Sequence, residues 1–157
     1  MQWQRQRKAF SMLTAIFVIV LMATVAMLIL STSGKMIQET TAQYQREQSL
    51  LLAQSYTEYA IMAVTANDRN STNLGDDCLD NISGNYGGTE GYTIDVNISY
   101  IGRDIDKCGR KLSTTVTTPK SPLNIIVDVF VHYKEFDHPA GTSAPNITYH
   151  KRSLQKI

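Results

Sequence analysis

Charge, cysteine and proline are all scarce in this chain. Two cysteines in 157 residues exclude a disulfide-dense miniprotein, and nine glycines with four prolines exclude a collagen-like repeat. Charged residues make up only 18% of the chain and leave a net charge of +1, which argues against the concentrated basic surface of a dedicated nucleic-acid binder. With 43% hydrophobic residues the chain is nevertheless apolar enough to fold, at a length that suits one domain. There is no internal repeat and no low-complexity tract.

The most telling absence is local, because no charged residue occurs between Lys8 and Lys35. Within that gap, Phe10 to Leu30 reads FSMLTAIFVIVLMATVAMLIL, whose only polar members are Ser11, Thr14 and Thr24. A bilayer core about 30 Å thick takes roughly 20 helical residues to cross, so residues 10–30 are long enough to span. Arg5, Arg7 and Lys8 precede the run and only Lys35 follows closely. The positive-inside bias then predicts a cytoplasmic N-terminus, a single pass, and everything after about residue 34 on the far side of the membrane. A cleaved secretory signal is disfavoured, because its apolar region would be about 7 to 15 residues.

Residues 35–66 contain no proline and no glycine and are expected to continue the helix. Ile37, Tyr44, Leu51, Leu52, Tyr59 and Met62 recur at helical spacing, while Gln38, Glu39, Gln45, Arg46 and Glu58 lie mostly off that stripe. A continuous helix over 10–66 would run roughly 85 Å at 1.5 Å per residue. Its second half is therefore expected to lie against a domain built from the rest of the chain, with the apolar stripe inward. Ser31-Thr32-Ser33-Gly34 reads equally as a hinge and as the membrane exit.

After Ala66 the composition turns to Asn, Asp and Gly, so 67–91 reads as loop. Tyr92 to Ile101 alternates apolar with polar, which predicts a strand with one wet face. Lys111–Thr118 is rich in β-branched residues, and Leu123–Tyr133 is the strongest strand pattern in the chain. Pro119 and Pro122 keep these two apart, and a short final strand is expected near Ile147–Leu154. The expectation is an α+β chain in three parts: a basic leader at 1–9, an N-terminal helix at 10–66, and a β head at 67–157. In it the long helix packs on a small antiparallel sheet of three to four strands.

Cys78 and Cys108 fall in the part placed outside the cytoplasm, where disulfides persist, and a bond between them is expected. It would bring Asp76, Asp77 and Asp80 near Asp104 and Asp106. That group reads first as a solvated acidic loop and second as a Ca²⁺ cage; no cofactor is expected. His132, His138 and His150 are scattered and do not make a metal motif. Asn-x-Ser/Thr matches begin at Asn70, Asn81, Asn97 and Asn146, and chance in an Asn/Ser/Thr-rich chain accounts for their number. Asn70 and Asn97 also have an Asp two residues earlier, which resembles the longer acceptor pattern of some bacterial N-glycosylation systems. No nucleophile elbow, phosphate loop or paired-carboxylate signature appears, so the sequence does not point to an enzyme.

Arg7-Lys8, the small residue Ala9, Phe10 and the long apolar run after them resemble the class III signal of type IV pilins and type II secretion pseudopilins. The helix-then-sheet order and the cysteine pair agree in layout. The resemblance implies cleavage between Ala9 and Phe10 by a prepilin peptidase and methylation of Phe10. It also implies partners: like subunits packed through the N-terminal helix, an inner-membrane assembly platform and membrane lipid, with no nucleic acid. Family members usually carry Gly where Ala9 stands and Glu at the fifth mature position, where this chain has Thr14. That Glu offsets a neighbour's N-terminal amine in the apolar filament core, where an unpaired charge is costly. Thr14 cannot do so, and the resemblance therefore implies a minor subunit at the tip or at the start of assembly. The alternative is an uncleaved, signal-anchored binding module in an envelope complex.

Overall fold

A computed structural model describes residues 3–67, 78–88, 91–103, 105–106, 108–115 and 123–157, with 3–11 as backbone only. The elements are α1 (Trp3–Ala66), β1 (Asn81–Tyr86), β2 (Tyr92–Gly102), β3 (Lys111–Ser113), β4 (Leu123–Tyr133) and β5 (Ile147–Lys156), with a 3-10 turn at Gly141–Ser143. The chain divides into two units, 1–41 and 42–157, and its class is α+β.

In the first unit the helix is apolar on every side. Residues 12–30 are exposed throughout, and the most apolar 18-residue window has mean hydropathy 2.9 with no part of it buried. This is one helix, near the N-terminus, long and apolar enough to span a membrane. The hydroxyls within it bond back to their own helix: Thr24 donates to the Leu21 carbonyl at 2.8 Å, and Thr32 to those of Leu28 and Ile29 at 3.1 and 3.0 Å. A hydroxyl satisfied in this way loses less on leaving water. The helix runs unbroken through Ser31-Thr32-Ser33-Gly34.

The second unit joins residues 42–66 of α1 to a five-stranded sheet with the order β1-β2-β4-β5. All pairs on that path are antiparallel, and β3 pairs parallel with β2 at Tyr100 and Ile101. Strand alternation sorts the two faces. Ile94, Val96, Ile98 and Tyr100 of β2 and Ile125, Val127, Val129 and Val131 of β4 are fully or almost fully buried and form one core with Ala53, Ala60 and Val64 of α1.

The sheet exceeds the three to four strands expected because β1, in the segment read as loop, is built without a strand pattern. NISGNY offers only Ile82 and Tyr86 as apolar residues, yet all six residues are in register with β2, from Asn81↔Asn97 to Tyr86↔Tyr92. An edge strand can be held by the backbone ladder of its neighbour, which its own composition does not reveal. Gly84 is required there, since a Cβ would run into the ring of Tyr56 from α1. Of the expected strand at 111–118, Lys111–Ser113 is a strand, Thr114 and Thr115 are not, and residues 116–118 lie outside those described. β5 is longer than expected, at ten residues.

The buried face of α1 is also not the one that hydrophobicity selects. Gln45, Ser49, Ala53, Thr57, Ala60 and Val64 face the sheet, with Ala53 and Ala60 at 0% exposure. Of the expected stripe only Leu52 reaches the core; Ile37, Tyr44, Leu51, Tyr59 and Met62 are all more than half exposed. At 3.6 residues per turn the two sets sit roughly 150° apart around the helix. Small residues win the contact because the sheet already supplies the bulk: a helix lies close over rows of Ile and Val only where its own side chains are short. The polar members of the seam each make one side-chain hydrogen bond to a backbone carbonyl, although Gln45 Oε1 is buried without a partner among the described residues. Thr57 donates to the Ala53 carbonyl at 2.6 Å, Ser49 to that of Arg46 at 2.7 Å, and the Gln45 amide nitrogen to that of Lys134 at 2.9 Å.

Candidate functional site

The residues implicated in processing lie on α1. Ala9 and Phe10 are helical in backbone, and Thr14 sits exposed within the apolar stretch. A second feature of the helix is the exposed row Tyr44, Leu51, Tyr59 and Met62 in the second unit, which faces away from that unit's own sheet. Its polar flanks include Glu47 and Glu58. An apolar row of this kind is left outside its own domain core and is a candidate interaction surface.

Cys78 and Cys108 are joined in a disulfide with Cα atoms 5.0 Å apart. The bond lies where the outer edge of β2 passes from one neighbour to the next. Ile98 donates to the Asp80 carbonyl just before β1, and Tyr100 donates to the Arg110 carbonyl just before β3, at 3.0 and 2.9 Å. The disulfide thus ties together the entries to both strands. The Tyr100 hydroxyl, donating to the Leu79 carbonyl at 2.6 Å, fastens the same corner.

Of the five carboxylates read as a loop or a Ca²⁺ cage, Asp76, Asp77 and Asp104 lie outside the described residues. Asp80 accepts the Gly109 backbone N–H at 3.0 Å and so serves the disulfide corner, and the Asp106 carbonyl accepts from Lys111. Among the described residues no group of three or more His, Cys, Asp or Glu side chains is arranged to hold a metal ion.

The sheet face away from α1 carries a polar cluster that sequence reasoning missed. Asp128, only 8% exposed, accepts from His150 Nε2 at 2.7 Å and from Arg152 Nε and Nη2 at 2.7 and 2.9 Å. The Arg152 hydrogen bonds hold the Asp128 carboxyl below its usual range, against the upward push of burial, with His150 adding to the lowering. The same pair raises Arg152. His150 stacks on Phe130 with ring centroids 4.4 Å apart, and His132 bonds the Thr148 hydroxyl at 2.8 Å, with Asp95 3.8 Å from its other ring nitrogen. Register creates the group: Asp128 pairs with Arg152, Phe130 with His150, and His132 with Thr148. The lone charge in LNIIVDVFVHY was the available signal, since a buried Asp requires partners. Each charge in the cluster is spent on a neighbouring strand, so its evident work is to fasten β5 to β4.

On the core side, burial raises the Tyr92 hydroxyl, and the nearby Tyr133 adds to the effect. Of the sequons, Asn81 and Asn97 face each other across β1 and β2, with Nδ2 of Asn81 donating to Oδ1 of Asn97 at 2.9 Å. Asn146 is exposed just before β5, and Asn70 lies outside the described residues.

One cavity of about 480 Å³ opens at the end of the sheet, between Gly91 and Thr93 at the start of β2 and the connection from β4 to β5. Comparison with known proteins adds no further assignment: no protein-family model, no curated protein and no solved structure matches this chain.

Proposed function

We propose that the chain is a minor pilin or pseudopilin, a structural subunit of a type IV pilus-like or type II secretion filament rather than an enzyme. The observation that carries the reading is the double use of α1. Residues 12–30 are apolar on every side, and beyond them the helix still exposes Tyr44, Leu51, Tyr59 and Met62 on the side its own sheet leaves open. A helix that served only as an anchor would need about 20 apolar residues and nothing more. On this reading the first stretch rests in the inner membrane with the N-terminus cytoplasmic and the β head periplasmic. In the assembled filament it bundles with the helices of like subunits, and the second row meets a neighbour. Thr14, in place of a carboxylate, favours a tip or initiating position, because it brings no charge to offset a neighbouring amine.

The test is the N-terminal mass of the protein recovered from membranes of cells with and without prepilin peptidase. The expected product is a chain starting at methylated Phe10 in the first case and a full-length chain in the second. An intact Met1 in both would overturn the filament reading and favour the signal-anchored binding module, whose long helix is then a stalk. If cleavage is found, Thr14→Glu is expected to move the subunit from a trace component to the shaft.

A further inference from the structure

The cavity at the end of the sheet has a wall that is already formed. Residues 134–146 are tied to themselves: Lys134 Nζ donates to the Thr142 carbonyl at 2.6 Å, Gly141 N to that of His138 at 2.9 Å, and Ser143 N and Ala144 N to those of Ala140 and Gly141 at 3.0 Å. Ala144 is buried beneath the turn, and Gly141 takes a φ of +53° that a side chain would strain. A wall held this way loses little freedom when a ligand arrives. On the opposite side, Gly91 cannot carry a Cβ without striking the Tyr86 carbonyl, which keeps that rim low.

The lining states what kind of ligand fits. Its fixed charges, Lys134 and Glu135, cancel, and the Lys134 ammonium is already bonded to the wall, so no net charge remains to select an ion. The other polar groups are the hydroxyls of Thr93, Tyr133 and Thr142 and the Asn146 amide; the His132 ring also lines the cavity but is already bonded to Thr148. Beside them stands Phe136, 56% exposed on an otherwise hydrogen-bonded loop. An aromatic face set next to neutral donors and acceptors matches a molecule that is apolar on one face and hydroxylated around its edge. The volume lies within the roughly 300–1,000 Å³ of ligand pockets.

We propose that this cavity binds one neutral pyranose unit of a glycan, with its C–H face on Phe136 and its hydroxyls on Thr93, Thr142 and Asn146. The inference does not depend on the filament reading. It is tested on the full chain in a detergent without a sugar head group, titrated with the methyl glycosides of glucose, galactose, mannose and N-acetylglucosamine and followed by saturation-transfer NMR. At least one glycoside is expected to bind. Phe136→Ala and Asn146→Ala should each weaken that binding about tenfold, the loss of one good contact. Phe136→Trp should retain binding, and Leu112→Ala, exposed on β3, should leave it unchanged. Near-UV circular dichroism verifies that each variant is folded. Binding of none of the four glycosides, binding indifferent to Phe136 and Asn146, or preferential binding of inorganic phosphate or acetate would each overturn the proposal.

Discussion

The inverted helix surface gives the sharpest stability test. Ala53 is fully buried where α1 crosses the sheet, while Leu51, two positions earlier, is 58% exposed. Ala53→Leu forces three extra carbons into a contact closed by Ile and Val side chains, and overpacking of that kind costs about 1–3 kcal/mol. With about 2 kcal/mol as the central value and about 4 °C per kcal/mol for a unit of this size, Tm should fall by about 8 °C. Leu51→Ala removes a side chain that mostly meets solvent and introduces a better helix former, so its change should stay within about 0.5 kcal/mol, or about 2 °C. Both variants are melted as full chains in the same detergent, with near-UV circular dichroism reporting on the tyrosines of the core. The reasoning fails if the order reverses. A costly Leu51→Ala with a neutral Ala53→Leu would mean that the apolar stripe, and not the small seam, faces the sheet.

Two further perturbations act on the second unit. Replacing Cys78 and Cys108 by Ser reopens a loop of sequence separation 30, for which the chain-entropy estimate is about 3–4 kcal/mol, so Tm should drop by about 12 °C; a melt within 3 °C of the parent would deny the bond that role. Asp128→Asn should lower Tm by about 5 °C at pH 7, because Arg152 and His150 lose their carboxylate. The Asp128 carboxyl is depressed in the folded state, so its contribution is complete above the unfolded value of about 3.9 and is lost as pH falls through the lower folded value. The gap between the parent and Asp128→Asn should therefore narrow progressively in melts below about pH 3.9, and a gap that stays constant on acidification would contradict the ion-pair account.

What could be read from the sequence depended on whether the deciding interaction was local. The apolar helical stretch, β2 and β4 were legible because each carries its own local pattern: a charge-free, almost wholly apolar run in 12–30, alternation in YTIDVNISYIG, and a β-branched apolar run broken by one charge in LNIIVDVFVHY. β1 was not, since NISGNY becomes a strand only through the edge that β2 offers and through the room Gly84 leaves for Tyr56. The buried side of α1 was misread for a related reason. Hydrophobicity predicts what avoids water, whereas the contact with a β-branched sheet is decided by what is small enough to approach it. The Asp128 cluster joins side chains 22 and 24 residues apart and becomes visible only once β5 is in register with β4.

That misreading bears directly on function. Had Tyr44, Leu51, Tyr59 and Met62 faced the sheet, the second unit would have used up its own apolar helix surface, and α1 beyond residue 41 would have needed no partner. With the small seam inward, the large side chains are left over, spaced by seven or eight residues between Tyr44, Leu51 and Tyr59 and therefore aligned along one side of the helix. A sequence under no demand from a partner would replace such residues with Lys, Glu or Gln at little cost to the fold, since they contribute little to its core. Their presence on a helix whose preceding stretch already suits lipid argues for a second apolar contact made outside this chain. The neighbouring helix of a like subunit supplies that contact in the filament reading; a solitary anchored module leaves the row in water. Tyr44→Glu with Met62→Lys separates the two: melts should remain within about 2 °C of the parent, while incorporation into filaments is lost. Undiminished incorporation of the folded double variant would remove the structural support on which the filament reading rests.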